Sequence, residues 1–228
     1  MKLKVLGSGS SGNCYLLENN TECLVIEAGL SFMEVKKALD FNVRKIVGIL
    51  VSHIHGDHAK YIEEYRKAGI PIMDAYRICE NNGGQSITCV MGNFTVREFQ
   101  LIHDAPCYGF YITHPEMGSL IYASDTEYIK YRFKGINHIL CEANYDMQFV
   151  NWELPNYKHI LQGHMSLQTA LDFISTNDNP ALRNVVLIHL SDKNAESGEF
   201  LKRTKEVTGK AVYIASKGLV VDLNLCPF

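Results

Sequence analysis

The sequence has no run of apolar residues long enough to cross a membrane, and prolines are few, six in 228 residues. A membrane-spanning helix needs about 20 consecutive apolar residues, and the opening stretch MKLKVLGSGS has too short an apolar segment for a signal peptide. The formal net charge is −3, so a broad basic surface is also absent. We therefore expect a cytoplasmic protein without membrane contact, on which any basic patch is local.

The cysteines follow no recognisable spacing. There are seven of them, an odd number, and no C-x-x-C pair occurs. Metal-binding and redox motifs use such pairs, and disulfide frameworks in secreted domains use even numbers. We therefore expect the cysteines to be buried, reduced thiols.

No Pro- or Ser-rich linker, internal repeat or low-complexity tract divides the chain, which predicts a single domain over residues 1–228. Short runs rich in Val, Ile and Leu predict strands at KLKVLG, NCYLLE, ECLVIE, KIVGILVS, SITCV, FTVREFQLI, GFYIT, SLIYAS, HILCEA, NVVLIHL, AVYIA and GLVVDL. Apolar spacing predicts helices at SFMEVKKALD, HAKYIEEYRKAG, SLQTALDFIST and Glu196–Val207. The mixture indicates the α/β class.

The stretch GSGSSG, residues 7–12, matches the G-x-G-x-x-G pattern of dinucleotide-binding folds. Such a fold needs a helix directly after the glycines, so that the helix N-terminus faces the pyrophosphate. Here NCYLLENN follows, which has the pattern of a strand and a turn. We therefore predict a tight turn between two strands, whose Ser8, Ser10 and Ser11 approach a phosphate if the loop borders a functional site.

The stretch SHIHGDHAK carries the strongest chemical signal. It places His53, His55, Asp57 and His58 within six residues, directly after the buried-strand pattern IVGILV. Imidazole and carboxylate together suit Zn²⁺, Mn²⁺ or Fe. Further ligand-type side chains follow other predicted strands, namely His103, Asp125 and His189. Their joint placement at strand ends predicts one metal site.

The SHIHGDH segment resembles the H-x-H-x-D-H motif of the metallo-β-lactamase superfamily, and the order of the later motifs extends this resemblance over nearly the whole chain. The resemblance implies an αββα sandwich with two divalent ions, Zn²⁺ or Mn²⁺ with Fe possible, along one edge. By position, it assigns His53, His55 and His103 to one ion. It assigns Asp57, His58 and His189 to the other, with Asp125 bridging both.

Further segments are similar to the nuclease branches of this superfamily. LCEANY contains Glu142, and QGHMSLQTAL resembles the G-H-M-[ST] segment of ribonuclease Z, where a Glu–His pair transfers protons. By that resemblance, Glu142 would orient His164 as general acid. GSGSSGNCYLL, HDAPCYGFYI and HLSDKN look like the YycJ/WalJ nuclease-like group. The stretch from Asp125 to His189 is too short for a β-CASP insertion, and no long Gly/Pro-rich exosite arm is present.

These resemblances imply a metal-dependent phosphodiesterase, most simply a nuclease acting on single-stranded DNA from an end. Its catalytic residues would be Asp57, Glu142 and His164, acting with a water that the two ions activate. The segment YIKYRFKG interleaves cations with aromatics, so Lys130 and Arg132 are candidate substrate contacts beside the three loop serines.

Alternative functions remain open at this stage. A small-molecule phosphodiesterase, or a lactone or thioester hydrolase, would use the same seven ligands. A non-catalytic descendant is a third alternative, because LVIEAG has Glu27 where the family usually has Asp. Glu reaches one methylene further, but it can still orient a histidine ligand by accepting its hydrogen bond.

Overall fold

A computed structural model describes residues 1–75, 87–150 and 161–226 of the chain. Two β-sheets form its centre. The first has six strands in the order β13-β1-β2-β3-β4-β5. These are β1 (Lys2–Gly7), β2 (Cys14–Glu18), β3 (Cys23–Ile26), β4 (Ile46–Val51), β5 (Ile72–Asp74) and β13 (Val220–Asp222). β1, β2 and β3 pair antiparallel, β3, β4 and β5 pair parallel, and β13 runs antiparallel to β1.

The second sheet has seven strands in the order β12-β11-β10-β9-β8-β7-β6. They are β6 (Thr88–Met91), β7 (Phe94–Gln100), β8 (Tyr108–His114), β9 (Gly118–Ala123), β10 (His138–Glu142), β11 (Asn184–Ile188) and β12 (Ala211–Ile214). β6 to β9 form an antiparallel meander, and β9 to β12 are parallel. Both sheets therefore contain a parallel half, in which several strands end at the same edge.

Helices cover the outer faces of the two sheets. They are α1 (Phe32–Ala38), α2 (Gly56–Ala59), α3 (Ile62–Lys67), α4 (Leu167–Asn177) and α5 (Ser197–Thr208), with 3₁₀ turns at Val43–Lys45 and Met147–Phe149. One apolar cluster fills the space between the sheets, including Leu17 and Phe110. Separate clusters lie under α1 and α3 and under α4 and α5. This layering is the predicted αββα sandwich.

Most predicted elements are present, but one prediction is wrong in detail and one strand was missed. The helix predicted through HAKYIEEYRKAG is two short helices, α2 and α3, because Tyr61 N donates to the Ala28 carbonyl instead of continuing the helical hydrogen bonds. The strand β5 was not predicted, since its pattern is only three residues long. Residue 86, the first of the predicted strand SITCV, lies outside the described residues. The GSGSSG loop joins two antiparallel strands, as predicted.

The cysteine prediction also needs correction. Cys14, Cys23, Cys107 and Cys141 are buried free thiols, but Cys89 is half-buried and Cys226 is exposed. Cys89 packs against the core between the sheets, but it lies on the edge strand β6, where it is only partly covered. Cys79 lies outside the described residues. Among the helices described, none combines the length and the apolar composition that crossing a bilayer requires.

Candidate metal centre

The site residues follow the ends of strands that run in the same direction. In the first sheet, β1 leads into the GSGSSG loop, β3 into Glu27 and β4 into His53. In the second sheet, β7 precedes His103, β9 precedes Asp125, β10 ends in Glu142 and β11 precedes His189. The strand pairings place each group of ends at one edge of its sheet. Backbone N–H of His189 donates to Ser8 Oγ at 2.9 Å, which joins the two edges.

The loop after β4 is held against two other loops by backbone hydrogen bonds. Asn13 N donates to the carbonyl of Asp57 at 2.8 Å, and Ala28 N donates to that of His58 at 2.7 Å. Gly29 explains why this approach is possible, since a Cβ there would lie 1.8 Å from the Asp57 carbonyl oxygen. The glycine of LVIEAG thus permits the packing that fixes the histidine loop.

Three groups of ligand-type side chains result, within each of which the donor atoms lie within 4.8 Å of one another. The groups are His53, His55 and His103; Asp57, His58, Asp125 and His189; and Asp125, Glu142, His164 and His189. The first two match the two ligand sets predicted from the sequence. Asp125 approaches both, since its Oδ2 is 3.9 Å from His53 Nε2 and its Oδ1 is 3.1 Å from His58 Nε2.

The hydrogen bonds of the imidazole rings fit metal binding. His103 Nδ1 faces the carbonyl of Gly163 at 2.9 Å, and His189 Nδ1 faces Glu142 Oε1 at 3.0 Å. Because both partners are acceptors, Nδ1 of each ring carries a proton, and Nε2 is the nitrogen left to bind a metal once any proton on it is displaced. His53 Nδ1 lies 2.9 Å from Ser52 Oγ, and among the described residues its buried Nε2 has no hydrogen-bond partner. Metal-binding histidines are commonly oriented in this way.

Glu27 is placed to orient His58, so the residue that departs from the family pattern keeps an orienting position. Its Oε1 lies 3.4 Å from His58 Nδ1, and its Oε2 accepts from Ser52 N at 3.3 Å. Both Glu27 and His58 are fully buried. The backbone of Glu27 is left-handed, with φ at 67°.

Burial and neighbouring charges shift the pKa values of the cluster residues in different directions. Burial and the neighbouring His58 hold the pKa of His53 well below its usual value, so His53 stays neutral and able to bind a metal. Burial alone would lower the pKa of His189, but the Asp125 and Asp57 carboxylates raise it to about 10. Burial would likewise raise the pKa of Asp57, but hydrogen bonds from His189 and His58 lower it. Without a metal ion, protons on the histidines therefore offset the negative charge of the carboxylates. A bound cation would displace these protons.

The predicted Glu142–His164 pair is also formed. Glu142 Oε1 lies 2.7 Å from His164 Nδ1, and the fully buried carboxylate also accepts from Thr126 N at 3.0 Å and Met165 N at 3.2 Å through Oε2. Ser166 caps the N-terminus of α4 by accepting from Thr169 N, which fixes the segment that carries His164. His164 thus lies at the edge of the donor groups, oriented by Glu142.

The backbone is strained at three site residues. Glu27, Asp125 and His189 have φ values of 67°, 51° and 55°, in the left-handed region that non-glycine residues rarely adopt. Such conformations cost about 1–3 kcal/mol each and persist where the surrounding structure fixes them. All three side chains are directed toward the donor groups, so the strain accompanies their placement.

Sequence reasoning missed two asparagines and one aspartate. Asn13 Nδ2 lies 3.3 Å from Asp57 Oδ2 and 3.0 Å from His58 Nε2. Asn144 Nδ2 donates to the His189 carbonyl at 2.8 Å. Asp104 Oδ1 lies 3.1 Å from His103 Nε2. Asparagine and aspartate are common in turns after strands, so their residue type alone carries no signal. Only their position beside a recognised motif could have indicated them.

The proposed substrate contacts lie at the rim. Ser10 and Ser11 are exposed on the loop after β1, while Ser8 is half-buried and accepts hydrogen bonds from Tyr15 and His189. Lys130 and Arg132 are exposed on the segment that follows Asp125. Lys130 Nζ lies 5.3 Å from the centre of the Tyr131 ring.

Comparison with known proteins agrees with this geometry. The metallo-beta-lactamase superfamily model matches residues 7–71, which include the SHIHGDH motif. The N-terminal part of the chain is thus similar to the metallo-β-lactamase superfamily. It is 27% identical over 223 residues to the exodeoxyribonuclease YycJ of Bacillus anthracis, covering 85% of this chain and 84% of the relative.

Two further relatives extend the match. Exodeoxyribonuclease WalJ of Streptococcus pneumoniae D39 is 27% identical over 222 residues, covering 85% of this chain and 82% of the relative. The metallo-beta-lactamase fold protein YhfI from Bacillus subtilis superposes with a TM-score of 0.70 at 18% identity, covering 96% of this chain and 98% of that protein. Together with the histidine and aspartate groups, these matches identify a metal-dependent hydrolase.

Proposed function

We propose that this hydrolase is a nuclease that degrades single-stranded nucleic acid from an end, with DNA preferred. The observation that carries the proposal is the Glu142–His164 pair, 2.7 Å apart beside the metal-donor groups. Phosphodiester cleavage expels an alkoxide, which needs a proton. Lactone and thioester hydrolysis at the same ligands does not require this pair. The preference for DNA is supported by the similarity to YycJ and WalJ, which are named exodeoxyribonucleases.

The donor groups fit two divalent ions, Zn²⁺ or Mn²⁺ with Fe possible, because neutral imidazole and carboxylate suit these metals. His53, His55 and His103 would hold one ion, and Asp57, His58 and His189 the other, with Asp125 between them. When bound, such ions lower the pKa of a water molecule toward neutrality and offset charge on phosphate oxygens.

The remaining roles in the reaction belong to side chains of the protein itself. Asp57 is the most exposed carboxylate of its group, with 21% of its side chain accessible against 3% for Asp125. It is therefore placed to accept a hydrogen bond from the attacking water. His164, oriented through Nδ1 by Glu142, donates a proton from Nε2 to the departing oxygen. Glu142 stabilises the charged imidazole and does not itself transfer the proton.

Substrate contacts would come from the rim. The exposed Ser10 and Ser11, with Ser8 behind them, offer hydroxyl and amide donors to a phosphate. Lys130 and Arg132 offer cations to neighbouring phosphates. With a net charge of −3, the protein gains little from counterion release along a long duplex, which favours a short contact with an accessible strand.

The test is a substrate panel run with Mn²⁺ or Zn²⁺. End-labelled single- and double-stranded DNA and RNA are compared with a nitrophenyl phosphodiester, a lactone and a thioester. We expect stepwise shortening of single-stranded DNA, faster than that of RNA or duplex. Asp125→Asn protein purified in the same way serves as the control for contaminating nuclease. Intact nucleic acids together with an opened lactone, a cleaved thioester or only a cleaved small phosphodiester would overturn the proposal.

A further inference from the structure

A cavity of about 520 Å³ lies on the second sheet, between β7, β8 and the segment 128–134 that follows Asp125. Its size falls within the range of about 300–1,000 Å³ typical of small-molecule sites. Neither the metal-donor groups nor the Glu142–His164 pair contributes to its lining. The cavity is therefore a separate feature that needs its own explanation.

Aromatic rings form its walls and hold one another in place. The Phe99 ring lies 5.4 Å from Tyr131 and 5.1 Å from Phe133, and Phe133 stacks on Tyr111 with ring centres 6.2 Å apart. Phe133 N donates to Asn177 Oδ1 at 2.7 Å, which anchors the segment to α4. The rings are thus supported from below, while Tyr131 remains partly accessible.

Cations surround these rings. Arg97, Arg132 and Lys134 line the cavity, and among the described lining residues the one acidic side chain is Glu98, which is only 3% exposed. Arg132 and Lys134 are exposed on the segment, at alternate positions from Tyr131 and Phe133. In a chain of net charge −3, this concentration of positive charge beside aromatic rings favours an anionic ligand with a flat ring system.

Both walls lead directly to the metal-donor groups. Gln100 lines the cavity and precedes His103 by three residues, a path of at most about 11 Å. The opposite wall, residues 131–134, begins six residues after Asp125. Thr126 joins the two segments that lead to the walls, since its Oγ1 accepts from Ile102 N at 3.1 Å and donates to the Tyr128 carbonyl at 2.9 Å. A strand of a few nucleotides can therefore occupy the cavity and the site together.

We propose that this cavity is the subsite for a nucleotide adjacent to the one being cleaved from a single strand. Its base stacks on Tyr131, and its phosphate lies against Arg132 and Lys134. Stacking on aromatic rings beside cations is the common mode of binding single strands without sequence preference. The proposal rests on the proposed nuclease function and adds a requirement to it, since a substrate too short to reach the cavity is bound less tightly.

The test compares Arg132→Ala/Lys134→Ala and Tyr131→Leu with Lys202→Ala/Lys205→Ala. The last pair removes the same charge from exposed positions on α5, which packs against β12 far along the sheet from β7 and β8. Two quantities are measured. One is the fluorescence anisotropy of a labelled oligothymidylate of eight nucleotides with metal-free protein, and the other is kcat/KM for that oligonucleotide and for the nitrophenyl ester of thymidine monophosphate.

We expect both cavity variants to bind the oligonucleotide about tenfold more weakly and to lose a similar factor in kcat/KM, mainly through KM. The nitrophenyl ester, which cannot reach the cavity, should be cleaved as by the wild type, and the α5 variant should behave normally with both. Tyr131→Leu keeps the apolar volume, so an unchanged melting temperature shows that its effect is on binding.

The possible failures are distinct. Normal oligonucleotide binding and cleavage by both cavity variants would overturn the subsite and leave the nuclease function intact. Equal loss on the oligonucleotide and on the nitrophenyl ester would also overturn it, because the effect would then lie at the metal centre. If the wild type neither binds nor cleaves any oligonucleotide yet cleaves the small ester, the nuclease function fails and the subsite fails with it.

Discussion

Histidines occur at both ends of the second sheet, and the two ends use them differently. At the end away from the metal centre, His138 begins β10 and His114 ends β8. His138 Nε2 donates to the carbonyls of Met117 and Leu223 at 3.1 and 3.0 Å, and its Nδ1 accepts from Asn184 at 3.1 Å. Both ring nitrogens of this histidine are therefore satisfied by protein atoms.

At the metal end, His103 and His189 each have one ring nitrogen against an oxygen while the other faces the cluster. Among the residues that the structure describes, His53 Nε2 is buried without a hydrogen-bond partner, and His189 Nε2 lies 3.2 Å from Asp57 Oδ2. Burying polar atoms in this way costs free energy unless something else binds them. The comparison teaches that burial of a histidine is not informative by itself, whereas the partners of its second nitrogen separate a structural residue from a metal ligand.

The largest effect is expected from removing the carboxylate between the two ligand sets. Asp125→Asn should lose at least one of two bound divalent ions and lower phosphodiester cleavage by about 10³-fold or more. A metal ion contributes several kcal/mol of transition-state stabilisation, and each 1.4 kcal/mol is a factor of ten in rate. Metal content by mass spectrometry and kcat/KM check this. Asp172→Asn, on the exposed face of α4, is the matched control. A variant that retains both ions would show that Asp125 is not a shared ligand.

A smaller, substrate-dependent effect is expected at His164, which lies at the metal end but is oriented as a proton donor. His164→Ala should keep its metal ions and lose about 10²–10⁴-fold in cleavage of an oligonucleotide. A nitrophenyl phosphodiester should suffer less, because its leaving group needs little protonation. The ratio of the two kcat/KM values is the measurement. An equal loss on both substrates would remove His164 from the role of general acid.

Most of the residues at the metal end could be predicted from the sequence, for physical reasons. SHIHGDH places four ligand-type residues at one strand–helix junction, and such density has few structural explanations. His103, Asp125 and His189 each follow a strong apolar run, so their strand ends could be located and their grouping at one edge expected. The partners of Asn13 and Glu27 could not be predicted, since they depend on loops from different strands meeting. The cavity walls depend on the meander of β7 and β8, which local patterns do not specify.

An intermediate effect on metal affinity is expected from Glu27, whose Oε1 faces His58 Nδ1 at 3.4 Å. Glu27→Gln keeps the side-chain length and an oxygen for Ser52 N but removes the charge that orients His58. Loss of such an orienting group typically costs 10–100-fold in metal affinity. A titration of metal-free protein with Mn²⁺ measures it, and the site assigned to Asp57, His58 and His189 should be the one affected. Unchanged affinity for both ions would mean that Glu27 only fills space.

The smallest effect on activity, but a measurable one on stability, is expected at the far end. Burial lowers the pKa of His138 to about 4, despite the two carbonyls that its ring contacts, and the nearby Arg183 lowers it while Asp222 raises it. The unfolded chain has the ordinary value of about 6.5, so between pH 6.5 and pH 4 it binds more protons than the folded chain does. The contribution of His138 to the free energy of unfolding is therefore complete above pH 6.5. It is lost as the pH falls toward 4, by at most about 3 kcal/mol.

His138→Gln removes this titration while offering an amide donor to the carbonyls of Met117 and Leu223 and an oxygen acceptor. Urea unfolding of both proteins without metal, at pH 4.5 and pH 7, gives the difference directly, because protonation of the metal-end residues is common to both. The variant should be less stable than the wild type at pH 7, and the difference in the free energy of unfolding should narrow as the pH falls.

The kcat/KM of His138→Gln with metal should match that of the wild type, because His138 lies at the opposite end of β10 from Glu142. A gap in stability that is constant with pH would show that His138 does not titrate in this range. A fall in activity at constant metal content would contradict the separation of the two ends.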